Sequence, residues 1–193
     1  MFEKKAIAGK PILKKIFLAL VLFTLIVILG MQMTGSPLKT EAAPAGIVSF
    51  EFAGDLVQAQ KIFASWGEME RTYAALNTGL DFLFLVSYTF TLALGSLLAA
   101  RFFTSRSRTW SRVGYLLIWG MFAAGLLDAV ENIALIQMLL GTTNNLWPSM
   151  AYKCASVKFF LVGIGLFYVL SWFGARIVLI FKKDINSVYK NES

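Results

Sequence analysis

Apolar residues along this chain gather into four long runs. They extend from about residue 16 to 33, 80 to 100, 113 to 140 and 151 to 181. Crossing roughly 30 Å of hydrocarbon takes about 20 residues of helix, so each run is long enough or nearly so to span a bilayer. The last two exceed the minimum and must tilt or extend past the lipid. Short polar links separate the later runs. A long one, about residues 34–78, separates the first two.

That long link begins as a loop, with Thr34-Gly-Ser-Pro37 and then Ala42-Ala-Pro-Ala-Gly46. Ile47 to Phe52 alternates weakly and predicts a short extended piece. Gly54-Asp55 reads as a helix start with Asp55 as its cap. Leu56, Ala59, Phe63 and Trp66 then recur at helical spacing, with Gln58, Gln60 and Lys61 elsewhere. The pattern predicts a short amphipathic helix on the outer interface, as an anchor or a lid, with Trp66 near the headgroups. The fold class expected is an all-α membrane protein, a four-transmembrane-helix bundle with a short amphipathic outer helix, forming one domain over 1–193.

Composition agrees. Hydrophobic residues make up 58% of the 193 residues and charged ones 15%, against about 45–50% and about 25% in soluble domains. A soluble fold would lack the polar surface to cover itself. The net charge of +7 invites a nucleic-acid partner, but its distribution argues otherwise. Lys4, Lys5, Lys10, Lys14 and Lys15 precede the first run. Arg101, Arg106, Arg108 and Arg112 fill the second-to-third link, and Arg176, Lys182, Lys183 and Lys190 lie at the end of the fourth. Only Lys39, Lys61 and Arg71 fall in the opposite loops, with Lys153 and Lys158 at the start of the fourth run. Such asymmetry predicts a multi-pass protein of the cell (inner or plasma) membrane with both termini cytoplasmic. Ala43-Pro44-Ala45 matches a cleavage pattern but lies too far past the first apolar run, which is itself long for a signal peptide. That run is read as an uncleaved span.

Two absences restrict the chemistry. The chain has no histidine, which removes His-ligated haem, HExxH zinc and Ser-His-Asp chemistry. Its single cysteine, Cys154, cannot form an internal disulfide or a redox pair. No cofactor, metal set or catalytic residue is expected.

Ionisable residues within spans are costly and face the bundle interior or a wet cavity. At about 1.5 Å per residue from Arg101, Arg112 and Arg176, Asp81 lies about 30 Å up, Asp128 about 24 Å, Glu131 about 28 Å and Lys158 about 27 Å. Three runs thus place charges in one layer near the outer edge of the hydrocarbon. Asp128, Glu131 and Asn132 share a helical face at i, i+3 and i+4; Asn77, Asp81 and Tyr88 share another. The expected polar cluster is Asp81, Asp128, Glu131, Asn132, Lys158 and Tyr88, with Lys158 pairing Asp128 or Glu131. Three carboxylates outnumber one lysine. A protonated acid, a further cation from Lys153 or Arg71, or a ligand cation would redress the balance.

Gly120 with Ala124, and Gly125 with Ala129, are small pairs that let helices approach closely. The leading functional reading is a non-enzymatic membrane protein whose polar pocket near the outer leaflet binds or passes a small polar molecule, cation or lipid headgroup. The alternatives are an accessory or scaffold subunit, held to a membrane-protein partner or a second copy, whose cluster only locks its helices, and an intramembrane lipid-modifying enzyme. Membrane lipids are the expected surroundings, and nucleic acid is not an expected partner.

Overall fold

The computed structural model describes residues 2–191, with side chains described for 11–179 and 181. Lys4, Lys5, Lys10, Lys182, Lys183 and Lys190 therefore lie outside the described side chains. The elements are α1 (Phe2–Gly35), a 3₁₀ turn (Ser36–Leu38), α2 (Ile47–Glu51), α3 (Leu56–Ser65), α4 (Glu68–Phe103), α5 (Arg108–Leu139) and α6 (Leu146–Asn191). No strand occurs among the described residues. Four helices are long and apolar enough to cross a membrane, and each covers one of the apolar runs. The fold is an all-α four-helix bundle.

Helix α4 is the most enclosed. It packs against α1, α5 and α6, while α1 leans mainly on α4. Thr24 Oγ1 and Thr91 Oγ1, 3.0 Å apart, join α1 to α4 at mid-height. Nearer one end, Asn77 donates to Met31 O at 2.8 Å and to Thr34 Oγ1 at 2.7 Å. Close approach of α5 to α4 depends on Gly125, where a Cβ would run into the Thr89 side chain. At Gly165 of α6 a Cβ would sit 2.6 Å from Met121 Sδ of α5. The small residues of α5 thus serve packing inside the bundle, whereas Gly163 faces open space.

One end of the bundle holds the α4–α5 link, where Ser107 Oγ caps α5 by accepting from Trp110 N. This is the basic end. At the other, the capped end, residues 36–67 fold over the helix termini. Here the structure departs from expectation. Residues 47–51 are helical, not extended, because Ile47, Phe50 and Glu51 recur at i, i+3 and i+4 and turn inward together. Gly46 (φ +62°) and Gly54 (φ +76°) turn the chain into and out of α2 with backbone conformations that side-chain-bearing residues rarely adopt. Asp55 caps α3 as expected, accepting from Gln58 N at 2.8 Å.

Trp66 turns inward onto the protein. It is 1% exposed, packs on Phe50 with ring centroids 5.1 Å apart, and donates from Nε1 to Leu38 O at 2.9 Å. Helix α3 also buries Ala59 and Ile62. Together with Leu38, Phe50 and Trp66 they form an apolar cluster with Ala134, Leu135 and Met138 of α5 and Ala151 of α6. The segment is a cap seated on the ends of the bundle helices. Helix α4 starts twelve residues before the apolar run does, so the link is shorter than the sequence suggests.

Candidate functional site: a buried carboxylate cluster under the cap

The apolar interior is in two parts. The cap cluster includes Ala74, Ala134 and Ala151, one on each of α4, α5 and α6. The larger cluster toward the basic end includes Tyr88, Ala124 and Tyr168 of the same helices. Between them, at Asp81, at Asp128 to Asn132 and at Lys158, each helix contributes polar groups instead. The layer inferred from residue counts is therefore a set of direct contacts.

Lys158 Nζ donates to Asp128 Oδ1 at 2.7 Å and to Glu131 Oε1 at 2.9 Å. Both expected partners are engaged at once. Asn132 Nδ2 donates to Asp81 Oδ2 at 2.8 Å, which joins α4 to α5. Tyr88 lies beside Asp128, but its hydroxyl makes no hydrogen bond of acceptable geometry. All six residues expected at the site are brought together, each 8% exposed or less. Arg71 does not join them. Its guanidinium covers the Phe63 ring at 4.1 Å and donates to Phe63 O. Lys153 is exposed and makes no ion pair among the described residues. Asn77, although on the same face as Asp81, is spent on α1.

A seventh group comes from the cap. Glu51, at the end of α2, is 7% exposed and lies within hydrogen-bonding reach of Glu131. Phe52 pins α2 in place, meeting Tyr152 edge-on at 5.7 Å and stacking on Phe159 at 5.7 Å. Phe159 in turn has Lys158 Nζ 5.0 Å from its centroid. Burial holds the Glu51 carboxyl above the usual carboxylate range; Lys158 pulls it the other way and Asp128 adds to the rise. Glu51 Oε2 and Glu131 Oε2 both lack a partner, as does Asn132 Oδ1. Two carboxyls so close attract each other only if a proton lies between them.

Sequence reasoning missed Glu51 because it sits outside every span. The signal was there in a weak form: a lone carboxylate between Phe50 and Phe52, in a hexapeptide otherwise nearly apolar.

Two carboxylates thus hold the Lys158 ammonium directly, and the Asp81 and Glu51 carboxyls are buried in the same cluster. Buried charge of one sign is tolerated only when it is paired, protonated or bound to a cation. The Lys158 ammonium fills the place a hard cation would take on Asp128 and Glu131. Among the described residues no group of three or more His, Cys, Asp or Glu side chains is arranged to hold a metal ion. Comparison with protein-family models, with curated proteins and with solved structures finds no match for the chain.

Proposed function

We propose that this chain is a membrane protein that binds a proton or a small ammonium-type cation in an occluded site beneath the α2–α3 cap, with the cap facing outward and the basic end cytoplasmic. One observation carries the reading: two buried carboxylates hold Lys158, two more buried carboxyls, Asp81 and Glu51, lie in the same cluster, and acceptor oxygens on Glu51, Glu131 and Asn132 remain unpartnered. A purely apolar lock would need none of these groups. Among the described residues no side chains are arranged to ligate a metal, which favours a proton or a small ammonium over a metal ion. The basic asymmetry of the sequence supports the orientation.

The test is a set of melting curves of the purified protein in detergent at mildly alkaline pH, with ammonium, methylammonium, sodium, potassium or calcium added as chloride. A ligand held at about 100 times its Kd stabilises by about 2.7 kcal/mol. For a chain of this length that is roughly 5–10 °C. Ammonium or methylammonium should produce a shift of this kind, and Glu51→Gln should abolish it. Equal, small shifts from all five salts would defeat the cation reading.

A second reading has its own support. Because Lys158 already takes both Asp128 and Glu131, the cluster can serve as a lock that fixes the register of α5 against α6.

A further inference from the structure

At the basic end, a cavity of about 300 Å³ opens between α1, α4 and α6. Its apolar wall is Leu13, Leu98, Phe102 and Trp172. Its charged rim is Lys14, Arg101 and Arg176, one from each helix. Sequence separation makes this convergence tertiary; a local run of basic residues would not produce it. Lys14, Arg101 and Arg176 make no ion pair or hydrogen bond among the described residues. Arg176 lies over the Trp172 ring, 5.6 Å from its centroid. The Trp172 indole N–H is buried without an acceptor, in a residue only 3% exposed.

Other cations at this end are disposed differently. Arg106 donates to Phe102 O at 2.9 Å and covers the Phe102 ring at 4.0 Å, so its charge is spent locally. Arg108 and Arg112 are exposed on α5 and do not line the cavity. Three cations gathered on one concavity repel one another unless an anion lies among them. Apolar walls with a basic rim, at the water edge of a helix bundle, match a phosphate carried on an acyl chain better than a phosphate alone.

We propose that this cavity holds the headgroup phosphate of one anionic phospholipid, with its chains running along the apolar surfaces of α1 and α6. A cation near an anionic lipid surface is worth roughly fivefold in affinity. Removing all three should therefore weaken retention by about a hundredfold.

The experiment is native mass spectrometry of the purified protein titrated with phosphatidylglycerol or phosphatidylcholine. The chains compared are the wild type, the triple variant Lys14→Gln/Arg101→Gln/Arg176→Gln and the control Arg108→Gln/Arg112→Gln. The expected result is one tightly retained phosphatidylglycerol on the wild type and on the control, its loss in the triple variant, and no comparable phosphatidylcholine adduct. Melting curves, expected to be unchanged because all these side chains lie at the surface or the rim, check that the variants fold. Equal weakening by the triple and control variants would reduce the effect to diffuse charge and overturn the proposal. So would equal retention of the two lipids. Displacement of the retained lipid by millimolar sodium phosphate would assign the site to a soluble phosphate anion and also overturn it.

Discussion

Replacing Glu51 with glutamine tests whether a proton belongs inside the folded protein. The ordinary value for this carboxyl is 4.5, and burial raises it in the fold. Below that ordinary value the group is protonated whether the chain is folded or not, and pH has no leverage through it. Above it, the unfolded chain releases the proton while the folded chain keeps it. Stability then falls as pH rises, and goes on falling until pH passes the raised folded value. The slope is about 1.4 kcal/mol per pH unit for one group. In a chain of this size each kcal/mol moves the melting temperature by about 2–4 °C, so the wild type should lose roughly 3–6 °C per unit through Glu51 alone.

Glutamine keeps the shape of the protonated acid and can donate its amide N–H to the open oxygen of Glu131. Glu51→Gln should therefore match the wild type below the carboxyl's ordinary value and exceed it increasingly as pH rises above it, by about 1.4 kcal/mol per unit until the raised folded value is passed. Glu51→Leu should instead cost about 1–3 kcal/mol near pH 5, by leaving that oxygen buried with no donor. Thermal unfolding in detergent, followed by tryptophan fluorescence at several pH values, supplies the differences. Parallel profiles for wild type and Glu51→Gln would refute the reasoning. A large loss in Glu51→Gln at every pH would do the same, since Glu51 would then be an ionised partner of Lys158.

Breaking the central ion pairs should be costly: Lys158→Met alone strands two carboxylates, at about 3–5 kcal/mol. Combining it with Asp128→Asn or with Glu131→Gln should recover part of that loss in both double-mutant cycles, and additivity in both would dissolve the cluster. Ile62→Asp should unseat the cap, raising hydrogen exchange over residues 47–66 and leaving α4 to α6 protected, because Ile62 is fully buried in the cap core; the same change at Val57, which is 79% exposed, should do nothing. In a Cys154→Ala background, an impermeant maleimide added to intact cells should label Ser36→Cys and spare Ser105→Cys, both exposed positions at opposite ends of the bundle; the reverse pattern would invert the orientation.

The four helices were legible because hydrocarbon imposes a simple rule: about 20 apolar residues make a span, whatever their order. The same rule exposed the cluster. Asp81, Asp128, Glu131 and Lys158 stand out against apolar neighbours, and a constant rise per residue puts them at one height. Glu51 and Trp66 obey no such rule. Each lies in a connecting segment, where charge and aromatic rings ordinarily face water or headgroups. Their burial follows from how the cap folds back, which depends on two positive-φ glycines and on the end of α5 receiving Ile62 and Trp66. That information is tertiary. The extended reading of residues 47–52 failed for a related reason. Over six residues, alternation and a helical i, i+3, i+4 pattern are hard to distinguish, and the burial of Phe50 and Glu51 together decides for the helix.

The cap has two parts whose energies differ, and the difference says which part a cation or proton could move. Fully burying a large apolar side chain is worth about 1.5–3 kcal/mol. Leu38, Phe50, Ile62 and Trp66, all at 1% exposure or less, together hold the whole cap by about 6–12 kcal/mol as an upper estimate. Loss of the Glu51 proton supplies about 1.4 kcal/mol for each pH unit between the ordinary and the raised value, and it acts through α2 alone. Helix α2 alone is held mainly by Phe50 and by the two ring contacts of Phe52, which add about 0.5–1.5 kcal/mol each. That is the same order as the charge on Glu51. If the cluster exchanges protons or cations with the outside, the moving element is therefore α2, swinging between Gly46 and Gly54, while α3 stays seated through Ile62 and Trp66. Access to the site and the charge of Glu51 then become a single equilibrium, because the residue that titrates is carried by the helix that moves.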